Sequence, residues 1–264
     1  MAYRRRSTRS SSSYRLGGTI STGTRITRSP RPKRPSRYPR PRQSSEGPIS
    51  RLKRLITGES AKTFLISDLH YGHELTLLFV PRSFDSTHDM NIALTKNWND
   101  TVNSGDTIWH LGDLAWTQTP RFWISKLNGK KLFIRGNHDR SRWMKHYAVL
   151  RRGEHAFFLV HDPDDRSIPR DFTGWIVHGH HHGGRDQYGN RYPFIDGVRK
   201  RINVVCELTD YKPVDLDWIV SLNLDTIKWM DTVSSTPERW GESEERPPLP
   251  NPRTNPRPNP RRRR

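Results

Sequence analysis

The chain has 264 residues, a formal net charge of +19 and a single cysteine, Cys206. That length suits one large domain or two small ones, and one cysteine excludes an internal disulfide framework. No apolar run approaches the roughly 20 residues of a membrane helix, and the amino terminus lacks the apolar stretch of a secretory signal. The lone thiol fits a reducing compartment, hence the cytoplasm, with nucleus or virion as the settings that Arg-rich ends suggest. The charge is uneven: residues 1–60 hold 16 Lys and Arg against 2 acidic residues, residues 246–264 hold 7 against none, and the stretch between them holds 23 against 25. The basic excess belongs to the two ends, around a near-neutral core.

Residues 1–60 contain Arg4-Arg5-Arg6, Ser10 to Ser13 and the alternation Pro30-Arg31-Pro32-Lys33-Arg34-Pro35. So few apolar groups cannot offset the entropy of ordering, so a disordered arm with polyproline character is expected. Such an arm either contacts nucleic acid non-specifically, through counterion release, or serves as a solubilising or targeting tail. Its proline density argues against the amphipathic helix of a transit peptide. Arg51 to Ile56 is expected to form a short basic helix.

The folded domain is read as residues 61–235. Phe64-Leu65-Ile66 is a strand that runs into Ser67-Asp68-Leu69-His70. Met90, Leu94, Trp98 and Val102 recur every four residues and predict a helix from about His88 to Val102, capped by Thr87 or Asp89. Thr107 to Leu111 is a second strand and ends in Gly112-Asp113. Pro120 opens another helix with Phe122, Trp123 and Leu127 apolar, stopped by Asn128-Gly129. Lys131 to Ile134 reads as a buried strand and discharges Arg135-Gly136-Asn137-His138-Asp139 at its carboxyl end. This alternation predicts βαβ units with helices outside the sheet. Beyond about Tyr147 the pattern turns to strands at Ala156 to His161, Gly174 to His178 and Ile202 to Glu207, a β-rich layer packed on the first half. A last helix is expected from Asp215 to about Trp229. Residues 236–264, ending in Arg261 to Arg264, are expected to form a second disordered tail.

Five apolar runs each end in an Asp, Asn or His, so folding can gather those side chains at one sheet edge. A hydrolytic two-metal site needs oxygen and imidazole ligands, one carboxylate that both ions share, and a proton donor that binds neither. Asp68, His70, Asp113, Asn137, His161, His180 and His182 supply the ligands and leave His138 over. The absence of thiolates points to two divalent ions of manganese, iron or zinc in a mixed oxygen–nitrogen site. No serine nucleophile elbow is present. Cys206 reads as a buried structural thiol away from the cluster, His110 and His178 as hydrogen-bonded core histidines, and His181 as a solvent-facing filler.

The ordered series Asp68-Leu69-His70, Gly112-Asp113, Gly136-Asn137-His138-Asp139, His161 and Gly179-His180-His181-His182 resembles the signature of the calcineurin-like metallophosphoesterases, over roughly residues 62–220. Ile66 to His73, His110 to Asp113 and Tyr211 to Val214 are similar in wording to the small bacterial and phage members. The resemblance implies an α/β fold, a four-layer α/β/β/α sandwich of two mixed sheets. It implies phosphate-ester hydrolysis by a hydroxide that two divalent ions share. By motif position Asp68, His70 and His182 would hold one ion, Asn137, His161 and His180 the other, and Asp113 would bridge. His138 would protonate the departing oxygen, and Asp139 would either orient that imidazole or pair with Arg140 or Arg142. Asp162, directly after His161, departs from the usual pattern. Modest-sized phosphodiesters or phosphoanhydrides are the expected substrates. The rival readings are a nucleic-acid-binding or packaging protein working through its basic arms, and a nuclease using both arms and site.

Overall fold

The computed structural model describes residues 60–80, 82–116, 120–241, 244 and 247. The amino-terminal arm, the basic helix expected at Arg51 to Ile56 and residues 248–264 lie outside them. Three parallel strands, β1 (Thr63–Ile66), β2 (Thr107–His110) and β3 (Lys130–Phe133), form the first sheet, and β9 (Val214–Asp215) closes it antiparallel to β1. Its order is β3-β2-β1-β9. The second sheet contains β4 (Ala148–Arg152), β5 (His155–Leu159), β6 (Trp175–His178), β7 (Ile195–Asp196), β8 (Arg201–Asn203), β10 (Ile227–Met230) and β11 (Glu238–Arg239). Its order is β11-β10-β7-β8-β6-β5-β4, with β5, β6 and β8 parallel and the other pairings antiparallel.

Alternation along each strand divides the core. Leu65, Trp109, Leu111 and Ile134 point between the sheets and meet Phe157, Leu159, Trp175 and Val177. Phe64, Ile66 and Ile108 point the other way, onto Met90, Leu94, Trp98 and Val102 of the helix Thr87–Thr101. With the short helix Thr76–Phe79 before it, we label these α1 and α2. The outer face of the second sheet, Phe158, Val160 and Ile176, is covered by Ile168 and Phe172 of the β5–β6 connection. Two mixed sheets with a helix packed outside the first are the expected α/β architecture.

Several boundaries differ from expectation. Ser86, not Thr87 or Asp89, caps α2: its extended backbone lets Oγ accept from the Asp89 amide at 3.1 Å. The helix at Pro120 stops at Ile124, giving a five-residue α3 (Pro120–Ile124). β3 is an edge strand with Lys130 exposed, because only β2 pairs with it within the sheet. The last helix, α4 (Leu216–Ser221), ends early. Asn223 takes a left-handed φ of 58°, after which Ile227–Met230 pairs with β7.

Candidate metal centre

β1 and β2, together with the chain beyond β3, β5 and β6, turn out of their sheets at neighbouring carboxyl ends and deliver their polar side chains to one place. The turns are tight: Asp68, His70, Asp113 and His180 all have positive φ, of 59°, 51°, 58° and 70°. Such conformations are costly for residues with a Cβ and persist where the surroundings over-determine them. Two glycines make the close approach feasible. A Cβ on Gly136 would fall 2.0 Å from Asp113 Oδ1, and one on Gly179 would fall 2.1 Å from Asp68 Oδ2.

Asp68 is fully buried. Its Oδ2 accepts from the Ser67 hydroxyl and from the His180 amide at 3.0 Å. Its Oδ1 has no hydrogen-bond partner and faces His182 Nε2 at 3.6 Å and His70 Nε2 at 3.8 Å. Those two imidazole nitrogens lie 3.2 Å apart. A second group forms around Asn137, whose Oδ1 is 2.8 Å from His161 Nε2 and 3.0 Å from His180 Nδ1. Asp113 stands between the groups: Oδ1 accepts from the His138 amide at 2.9 Å, while Oδ2 faces His161 Nε2 at 3.5 Å, His70 Nε2 at 3.7 Å and His138 Nε2 at 3.9 Å. Donor atoms of Asp68, His70 and His182, and of Asp68, Asp113 and His161, each fall within 4.8 Å of one another. All seven side chains expected as ligands therefore converge.

These residues fit divalent cations. A buried carboxylate oxygen without a partner is costly, and lone pairs of several imidazoles aimed at one another are satisfied by a shared cation. The donors are oxygen and nitrogen only, a set that suits manganese, iron and zinc.

Charge follows the same geometry. Burial pushes the Asp68 carboxyl up, but the positive His161 and the neighbouring His70 and His182 outweigh it and hold it well below the usual range. Burial likewise disfavours a charged His161, yet Asp68 and Asp113 raise it to about 9. Burial and the charge of His161 lower His180, while the Glu207 hydrogen bond raises His182 against burial.

An outer ring of residues, several of which the sequence did not reveal, orients the inner one. Glu207 accepts from His182 Nδ1 at 3.1 Å and pairs with the buried Arg82 guanidinium at 2.6 Å. Arg82 in turn donates to the Asp68 carbonyl at 2.5 Å. His161 Nδ1 donates to the Leu111 carbonyl at 2.8 Å, which leaves Nε2 for the cluster. Ser67, which stands beside Asp68 in sequence, was the most accessible clue to this ring. Arg82 and Glu207 fall on no periodic pattern. Asp139 accepts from the amides of Asp113 at 2.7 Å, Gly136 at 2.9 Å and Leu114 at 3.4 Å, and so ties two site loops together.

Two further histidines, His181 and His110, and the thiol sit differently from expectation. Cys206 is buried as expected, but Sγ lies 3.4 Å from the Asp68 carbonyl, directly behind the site, because the chain after β8 passes under that loop. Burial pushes its thiol well up. His181 does not face solvent: it stacks on Tyr192 at 3.6 Å, and burial lowers it to about 4. His110 is buried without a hydrogen-bond partner on either nitrogen, in aromatic contact with Trp98, whereas His178 Nδ1 bonds the Gly179 carbonyl at 2.8 Å. His73 packs its ring flat on Trp116, with centroids 4.0 Å apart and planes 4° from parallel. Asp162 accepts from the Asp164 amide at 2.8 Å and lines a cleft of about 210 Å³ beside His161 and His180.

Fold and site define a two-sheet α/β protein with a carboxylate–imidazole centre at the strand ends. The model of the calcineurin-like phosphoesterase superfamily domain matches residues 62–195, and the chain belongs to that superfamily. It is 41% identical over 165 residues to an uncharacterized protein of Methanocaldococcus jannaschii, covering 61% of this chain and 90% of that one. It is 36% identical over 84 residues to the Gene 66 protein of Mycobacterium phage L5, covering 30% of this chain and 40% of that protein. A solved structure of a protein of unknown function from Aquifex aeolicus is similar with a TM-score of 0.49 and 23% identity, over 62% of this chain and all of that one. Among the described residues no helix is long and apolar enough to cross a membrane.

Proposed function

We propose that the chain is a divalent-metal-dependent phosphoester hydrolase in which Asp68, His70 and His182 hold one ion, Asn137, His161 and His180 hold a second, and Asp113 is shared. The observation that supports this best is the pairing of a partnerless buried Asp68 Oδ1 with an Asp113 Oδ2 faced by one imidazole from each group. Bound there, such ions supply Lewis acidity toward water and toward phosphoryl oxygens. The chain's own work is positioning and proton transfer. The Asp113 carboxylate holds the His138 amide, and the His138 side chain, about 40% exposed, is open to a substrate. His138 donates its proton to the departing alkoxide. Asp139 sets the spacing of the Asp113 and Asn137 loops through backbone amides, and so acts as a positioning residue.

The test is metal analysis of the purified protein alongside turnover of bis-p-nitrophenyl and p-nitrophenyl phosphate with manganese, iron or zinc supplied. Asp113→Asn is expected to lower metal content and to reduce the rate at least ~100-fold, since one lost carboxylate charge weakens both sites. Full metal occupancy in that variant would overturn the shared carboxylate.

A further inference from the structure

On the His138 side of the centre lies a cleft of about 480 Å³, lined by Trp116, Pro120, Asn137, His138, Arg140 and Ser141. Its size falls in the range that takes a small organic ligand. Trp116 is 51% exposed. One face of its indole is stacked on His73, and its centroid lies 5.0 Å from that of His138. The backbone is fixed as well: the Trp116 amide donates to the Tyr71 carbonyl at 3.0 Å, and Ala115 bridges Tyr71. The indole is thus a rigid platform with open surface, held next to the group that protonates the leaving oxygen. Arg140, with no acidic partner among the described residues, adds a planar fork of donors at the same cleft. On the other side of Asn137 the cleft is smaller, about 210 Å³, and carries Asp162 and Asp165 alongside Arg135 and His146.

Resting on the hydrolase reading above, we propose that Trp116 and Arg140 form a leaving-group subsite for a nucleoside, so that the substrate is a nucleotide ester whose P–O bond to the nucleoside is the one broken. A base has a π-face to stack on the indole and ring acceptors for the guanidinium, a pairing that tolerates any base sequence. Water adds to phosphorus, the bond to the nucleoside oxygen breaks, and that oxygen leaves with the proton from His138. The smaller cleft favours a compact group on the retained side of the phosphate.

The full-length, metal-loaded protein is assayed with two diesters that both release a primary alcohol, a methyl adenosin-5′-yl phosphate and a methyl glyceryl phosphate, and with a methyl benzyl phosphate. The nucleoside ester is expected to have the highest kcat/KM. Trp116→Ala is expected to lower the nucleoside-to-glyceryl ratio roughly 5- to 150-fold, the range that one stacked base is worth, mostly through KM. Trp116→Phe is expected to restore much of it. A ratio that does not change in Trp116→Ala overturns the subsite, whether or not both rates fall. A benzyl ester that matches the nucleoside ester overturns the nucleoside assignment. If neither diester is turned over, calorimetric binding of adenosine 5′-monophosphate against ribose 5-phosphate decides separately. Tighter, Trp116-dependent binding of the nucleotide keeps the subsite while the hydrolase reading fails, and equal binding removes the subsite.

Discussion

Asp113 and His138 are coupled twice, once through the amide that Asp113 Oδ1 accepts and once through the 3.9 Å approach of the ring to Oδ2. The amide contact survives truncation of the side chain, so His138→Ala should keep both metals. Its rate should fall about 10²- to 10⁴-fold on alkyl esters, whose alkoxides need a proton, and much less on p-nitrophenyl esters, whose phenolate does not. Equal losses on both would remove His138 as the acid. His161 makes a second prediction at this scale. Its folded value of about 9 exceeds the ordinary 6.5 because Asp68 and Asp113 outweigh the burial that opposes it. In metal-free protein the stability from that proton is complete below about 6.5 and is lost as pH rises through about 9. An arriving cation must expel the same proton, so apparent metal affinity should climb by up to about tenfold per pH unit and level off above about 9. Chelator-treated melts and indicator competition between pH 6 and 9.5 read the two limbs, and an affinity independent of pH would mean that His161 is no ligand. The inner residues were legible because each follows an apolar run directly. Arg82 and Glu207 were not, since a lone Arg after a short helix and a Glu inside a turn carry no spacing signal before folding brings them to Asp68 and His182.

At the scale of elements, strands feeding the site and the long helix were visible where periodicity is unbroken. Met90, Leu94 and Trp98 give α2 its buried stripe, and the alternation of Phe157 with Phe158 is two-sided burial in β5. β7, β9 and β11, of two residues each, are too short for any period to show. β10 was hidden for another reason: Ile227 continues the apolar pattern begun by Trp218, Ile219 and Leu222, and only the left-handed Asn223 breaks the helix between them. The cap of α2 was expected at Thr87 or Asp89 and falls on Ser86 because all three have capping side chains, and the backbone bend decides among them. Ser86→Ala removes the acceptor of the Asp89 amide and should cost about 1 kcal/mol, or roughly 2–4 °C in Tm for a domain of this size. α2 covers the outer face of the first sheet, so KM should not move in that variant. A Tm change of the same size in Thr87→Ala but not in Ser86→Ala would place the cap elsewhere.

Across the whole molecule, charge and chemistry are segregated. The described region carries three apolar clusters and every side chain of the candidate centre, whereas the excess positive charge lies before residue 61 and after residue 245. Should the chain bind a polyanion, the ends are expected to carry most of the contact, each neutralised phosphate adding about 0.9 to the slope of log affinity against log salt. A chain cut to residues 60–247 keeps the β10–β11 pairing and the Lys228–Glu244 contact, so it retains what holds the second sheet together. Its kcat/KM on small diesters should stay within about twofold of the full-length value, while its retention on DNA at low salt and the steepness of its salt dependence should both drop. The same pair of measurements separates a catalyst with recruiting arms from a packaging protein. If turnover disappears with the arms although the truncated domain melts cooperatively and holds its metals, the arms belong to the catalytic unit and the segregation of charge from chemistry is false.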